Sequence, residues 1–259
     1  MKAAGQLLFD ARIRKERLAE LPESVRPKTP EEAYEAQHAF VRLLLNHYGG
    51  EIVGYKIACT SVLAQTLLKV DGPFHGKMMS AFCAESPARL TAGDFFMRVV
   101  EAEFAFRMAR DLPARARAFE REEVADAVEG VLGGIEVVDS RFAEWTTIGG
   151  PSLAADNACH AAWVRGGLVA DWRGIDLAAQ AVEVTVNGKE LLHGSGSAVL
   201  GHPLTALTWL ANKLASQGTG LKAGQYVTTG VTTDVYLAER GDRISADFGV
   251  VGRVELEFV

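Results

Sequence analysis

The octet VVEAEFAF, residues 99–106, sets Glu101 and Glu103 inside an otherwise apolar run. In an extended strand successive side chains alternate between faces, so Val100, Ala102, Phe104 and Phe106 point one way and both acids the other. Cα atoms two residues apart lie roughly 6.6 Å from each other, which lets both carboxylates converge on one object. Like charges side by side raise each other's pKa, and a divalent cation or a buried Lys or Arg relieves that cost. A half-exposed strand with an acidic, solvated face has the same pattern. A third acid joins the pair if the segment GGIEVVDS lies alongside, for Glu136 sits between Ile135 and Val137, with Asp139 and Arg141 following. Three carboxylates with no soft ligand describe a hard-cation site for Mg²⁺ or Mn²⁺. Coordination positions left open at such a site suit a bidentate ligand such as a 2-oxo acid.

Other chemistries find less support. The six histidines form no HxxxH or HxH pair, which disfavours zinc. No GxGxxG opens a helix, and Walker A and GxSxG motifs are absent. The loop HGSGSAVLGHP is rich in glycine but lacks the lysine of a phosphate loop. Cys59, Cys83 and Cys159 are scattered without a CxxC pattern, as expected of reduced thiols in a cytoplasmic protein. A formal charge of −6 without a basic block argues against nucleic acid as a partner. No apolar run reaches membrane-spanning length, and charges come too early and too often at the N-terminus for a signal peptide.

The elements that must position the acids are read from periodicity. Residues 1–50 form a helical segment, its second helix capped by Thr29, started by Pro30, closed into a capping box by Glu32 and stopped at Gly49 and Gly50. Residues 51–259 form a β-rich domain with helices around it. Within it EIVGYKIACTS is a strand entering a loop, and FMRVVEAEFAFRMA is a long strand. A charged helix spans roughly 120–131, ahead of the strand IEVVDS. VEVTVNGKELL is a hairpin turning at Asn187 and Gly188, and a helix runs from near Pro203 to Gly218. The broad apolar face of the helix at about 30–48 predicts a homo-oligomer, since other helices already cover the core.

The order GYKIACTS, VVEAEFAF, GGIEVVDSR, ADNA, GSGSAVLGHPLTALTWLANKLA and GQYVTTG resembles the 2-oxopent-4-enoate hydratase and 4-oxalocrotonate decarboxylase group of the fumarylacetoacetate hydrolase superfamily. The resemblance runs from about residue 50 to the C-terminus. It implies an α+β fold, a mixed β-roll or sandwich with an N-terminal helical layer. It also implies that Glu101, Glu103 and Glu136 bind the metal, and that Lys56 reaches into the pocket to act on the enolate or steady the substrate carboxylate. Asp156 and Asn157 then edge the pocket, and Ser195 and Ser197 lie in the loop placed near the substrate; an ordinary turn is the other reading of that loop. Where the group commonly reads D-x-P-D-x-G, this chain has Asp71, Gly72, Pro73, Phe74, His75 and Gly76. His75 stands beside the missing acid, either as its replacement in proton transfer or as a loop residue. Ala58 and Cys59 alter the pocket wall, and Cys159 replaces a serine.

The expected function is that of a divalent-metal-dependent lyase, a hydratase adding water to a small 2-hydroxydienoic acid such as 2-hydroxypenta-2,4-dienoate in the catabolism of aromatic compounds. Three alternatives stand beside it: decarboxylation of the 4-oxalocrotonate type, acylpyruvate-type C–C hydrolysis, and a family member that binds a 2-oxo acid without turnover.

Overall fold

From Ile52 onward, β-branched and aromatic residues at a period of two give strands that assemble into two sheets. The computed structural model describes residues 1–259. Its larger, eight-stranded sheet runs in the order Phe74–Met79, Ile52–Ala58, Tyr226–Val231, Val99–Met108, Val128–Val138, His160–Arg165 and Cys83–Glu85, and Tyr236–Leu237 also pairs with Val99–Met108. Both parallel and antiparallel pairs occur: Ile52–Ala58 lies parallel to Tyr226–Val231 and antiparallel to Phe74–Met79. The smaller sheet has five strands, Ala88–Leu90, Arg253–Phe258, Arg243–Asp247, Ala181–Val186 and Lys189–Ser195.

Alternation decides what each face of the acidic strand meets. Val100, Ala102, Phe104 and Phe106 share the main buried core with Val184, Ala246, Val254 and Leu256 of the smaller sheet. Glu101 and Glu103 are left on the opposite face, away from that core.

The N-terminal helices, Lys2–Arg14 and Pro30–Tyr48, close a second core. Leu8, Phe40 and Leu44 pack there with Met79, Phe142 and Ala155 of the β-rich part. Ala33, Phe40, Val41 and Leu44 of the second helix are therefore covered within the chain, while Tyr48 at its end stays exposed. Its cap differs from the expected box. Thr29 accepts from the Glu32 N–H at 3.2 Å, but the Glu32 carboxylate takes the Lys28 N–H at 2.7 Å, one residue ahead of the cap.

The helix expected at about 120–131 shrinks to Arg121–Ala125, and Val128–Val138 is strand throughout. Pairing outweighs local preference here, because this segment runs beside the acidic strand from Val128 opposite Met108 to Val138 opposite Val99. Its glycines sit where neighbours press on the backbone. A Cβ at Gly133 would lie 2.3 Å from the Phe248 ring, and one at Gly134 would lie 2.5 Å from the Trp163 indole nitrogen. The hairpin at Asn187 and Gly188 forms as expected, with positive φ at both residues. The later helix runs Pro203–Ser216. No helix is long and apolar enough to cross a membrane.

Candidate metal centre

Register brings the acids together. Glu101 lies directly opposite Glu136 across the antiparallel pair, and Glu103 lies opposite Gly134, so all three side chains leave the sheet on one face. One carboxylate oxygen from each lies within 4.8 Å of the others. Glu103 and Glu136 are fully buried, whereas Glu101 is partly exposed and lines a cavity.

Lys56 arrives from two strands away. It pairs with Thr228 on Tyr226–Val231, the strand between it and the acids. The pairing of that intervening strand with the acidic strand slips between Thr228 and Val231, and Gly230 falls in the slip with φ of 106°. Its N–H donates to Glu103 Oε2 at 3.1 Å. A side chain there would collide with Thr60, its Cβ only 1.9 Å from Oγ1, so this close approach requires glycine. Lys56 Nζ lies 3.2 Å from Glu136 Oε2 and donates to the Ala158 carbonyl at 3.1 Å. His160 Nδ1 lies 3.0 Å from Glu136 Oε1.

Charge is poorly balanced. Burial raises the pKa of Glu101, against the pull of Lys56. Burial, then the charges of Glu136 and Glu101, raise Glu103 well above the ordinary range. Burial would raise Glu136 too, but Lys56 and then His160 outweigh it and hold this acid down. Lys56 is the mirror case. Burial would lower its pKa, yet Glu136 first, then Glu101 and Glu103, hold it above its usual value.

A divalent cation fits this donor set. Three carboxylates against one ammonium leave two negative charges, and every donor is a hard oxygen. Glu103 Oε1 is buried without a partner, an expensive arrangement unless something positive meets it, and Glu136 Oε2 has only the Lys56 ammonium. Glu183, Glu190 and His193 also cluster, but they are exposed on a hairpin, as solvated surface groups often are.

The cavity beside the acids has a volume of about 120 Å³. Lys56, Glu101 and Thr60 line it together with Leu68, Phe74, Trp145 and Leu153, and with Leu67 and Val235, which are more than half exposed. Lys56 is the single cation among the lining residues. Cys59 and Cys159 also line it as neutral thiols: burial pushes Cys59 up to about 12 and raises Cys159 further.

The remaining expected site residues are placed elsewhere. Asp156 is fully buried and held by the Arg141 guanidinium, by the Arg141 N–H at 3.0 Å and by Ser140 Oγ at 3.1 Å. Asn157 clamps the backbone of Lys77, accepting from its N–H at 2.7 Å and donating to its carbonyl at 2.8 Å. Both serve the loop that carries Ala158 and Cys159 into the cavity wall. Ser195 and Ser197 hydrogen-bond each other at 2.8 Å and do not line the cavity, although their loop passes its rim where the Leu200 N–H reaches the Thr60 carbonyl.

His75 requires a correction. It pairs with Ile57, one residue beyond Lys56, so its ring takes the face opposite the acids. It stacks on Tyr34 with centroids 4.4 Å apart, meets Gln217 Oε1 at 3.2 Å and does not line the cavity. The proton-transfer role expected for it has no geometry here. Two residues that do touch the acids, Gly230 and His160, went unremarked in the sequence. A glycine inside YVTTGV and a histidine opening the apolar strand HAAWVR are the signals that pointed to them.

A family model described as fumarylacetoacetate (FAA) hydrolase C-terminal matches residues 74–259. A 2-hydroxyhexa-2,4-dienoate hydratase of Comamonas testosteroni is 33% identical over 260 residues, covering 100% of this chain and 97% of its own length. A 4-oxalocrotonate decarboxylase of Pseudomonas putida is 31% identical over 211 residues, covering 82% of this chain and 79% of its own. The solved 4-oxalocrotonate decarboxylase of Pseudomonas putida G7, complexed with magnesium and adipate, superposes with a TM-score of 0.91 at 26% identity, covering 100% of this chain and 97% of that one. Fold and acid cluster together define an enzyme scaffold built around a hard-cation centre. The chain belongs to the fumarylacetoacetate hydrolase family.

His75 yields a test of its own. Burial first, with Lys77 and Lys213 adding to it, lowers its pKa to about 3. A base depressed in the folded state gives stability that is full above its unfolded pKa of about 6.5 and is lost as pH falls toward its folded value. His75→Gln is expected to flatten the fall of unfolding free energy between about pH 6 and pH 4 by up to about 1.4 kcal/mol per pH unit. Urea denaturation across that range measures it, and equal slopes in both proteins contradict a buried neutral imidazole. The shape of the pH–rate profile is expected to stay the same.

Proposed function

We propose that this chain is a divalent-metal-dependent hydratase that adds water to a small 2-hydroxydienoic acid bearing one carboxylate and a hydrocarbon tail. The observation that carries this reading over the alternatives is the cavity, mostly apolar with Lys56 as its one lining cation. Relatives named as hydratases match nearly the whole chain, which supports the reading further.

Glu101, Glu103 and Glu136 would hold Mg²⁺ or Mn²⁺. The bound ion supplies Lewis acidity that stabilises negative charge developing on a 2-oxo acid. Lys56 adds a fixed positive charge beside these acids, oriented by Ala158 and Glu136. Its raised pKa keeps it charged near neutrality, which suits it to steadying a carboxylate or enolate oxygen rather than releasing a proton. Leu68, Phe74 and Leu153 hold the hydrocarbon part and keep bulk water from it.

Decarboxylation of 4-oxalocrotonate would bring a second carboxylate into a cavity whose one lining cation, Lys56, already serves the first. Leaving a partly desolvated carboxylate unpaired costs about 1–3 kcal/mol, so kcat/KM should favour the monocarboxylate by about tenfold or more. Metal-loaded protein is expected to remove the ultraviolet absorbance of 2-hydroxypenta-2,4-dienoate while releasing little CO₂ from 4-oxalocrotonate. Faster CO₂ release than dienoate hydration would overturn the hydratase reading in favour of the decarboxylase, and loss of neither substrate would favour binding without turnover.

Lys56→Met is expected to lower turnover by about 10²–10³-fold while Mn²⁺ affinity stays close to wild type by titration calorimetry. A loss below about tenfold would make Lys56 a structural residue.

A further inference from the structure

The two innermost acids share a pattern. Each has one oxygen tethered by a protein donor and a second oxygen buried with no uncharged donor on it. Glu103 Oε2 takes the Gly230 N–H and Oε1 has no partner; Glu136 Oε1 meets His160 Nδ1, and Oε2 has only the Lys56 ammonium, 3.2 Å away. Tethering one oxygen fixes the carboxylate plane, so the second oxygen is aimed before any cation arrives. For Glu103 the tether is backbone. For Glu136 it is a side chain that neither lines the cavity nor touches any substrate there.

We propose that His160 is a positioning residue that presents Glu136 as a one-oxygen ligand to the divalent cation. The proposal rests on the metal reading of Glu101, Glu103 and Glu136. A carboxylate only accepts, so Nδ1 must carry a proton, while Nε2 is buried without a partner. The ring has little freedom to do otherwise. His160 is 1% exposed and follows Asn157, Ala158 and Cys159, all held at positive φ. The Cys159 carbonyl is itself pinned by the Asp139 N–H at 2.9 Å, and the Arg12 guanidinium reaches the His160 carbonyl at 3.4 Å. The loop that shapes the cavity wall and the tether that aims the third acid are thus one continuous element.

Asn places an amide nitrogen near the position of Nδ1, whereas Leu fills similar volume with no donor. Titration of Mn²⁺ into the metal-free full chain should therefore give an affinity about 10–100-fold weaker for His160→Leu and within about threefold of wild type for His160→Asn. Equal weakening in both variants would reduce His160 to packing, and unchanged affinity in His160→Leu would remove it from the centre. Should the leucine variant fail to fold, His160→Phe, which keeps a ring without the donor, takes its place. Imidazole ¹⁵N shifts of the wild-type protein give a variant-free readout, expected to show the Nδ1–H tautomer; an Nε2–H tautomer overturns the proposal. If wild type itself binds no Mn²⁺, the metal reading fails, a result separate from any difference among these variants.

Discussion

Negative charge held inside a sheet is the constraint to which the rest of the structure answers. Glu101 and Glu136 face each other across one pair of strands, with Glu103 two residues along, and only Lys56 offsets them. Residues directly opposite with like charge destabilise a sheet, so this arrangement persists only because donors and a cation can be supplied around it. The slip that turns the Gly230 N–H inward, the loop that fixes Lys56 through the Ala158 carbonyl, and the histidine behind Glu136 are all consequences. The smaller sheet and the helical layer keep the two other surfaces dry.

How much of this was legible in the sequence depends on the range of the interactions. Alternation within VVEAEFAF is local, and it correctly sent Phe104 and Phe106 to the core and both acids to the other face. The hairpin at Asn187 and Gly188 and the stop at Gly49 follow from local backbone chemistry in the same way. Pairing between distant strands is not local. The charged stretch before Gly133 reads as helix by itself, but the acidic strand recruits residues 128–132 into the sheet. His75 was misplaced for a related reason: only its register opposite Ile57 reveals that it points away from Lys56. Asp156 and Asn157 were expected at the pocket edge, yet their polar atoms hold Arg141 and Lys77 and thereby shape the loop beneath the pocket.

A shared metal chemistry leaves the choice of reaction to the cavity wall. Hydratases and a decarboxylase both stand among the relatives, and their common scaffold explains why neither the acids nor Lys56 separates them. On the proposed reading, Leu68, Phe74 and Leu153 would favour a hydrocarbon tail over a second carboxylate, because burying an unpaired charge against them is costly. The proposed specificity residues come from the helix Val62–Leu68, from Phe74 and from the region of Trp145 and Leu153, whereas the acids stand on the central strands.

The central claim is that Glu101, Glu103 and Glu136 form a single cation centre. Crystals grown with Mn²⁺ and measured at the manganese absorption edge test it most directly. The account predicts one strong anomalous peak among those three carboxylates. No peak there, or a peak at the exposed Glu183, Glu190 and His193 cluster alone, would contradict it.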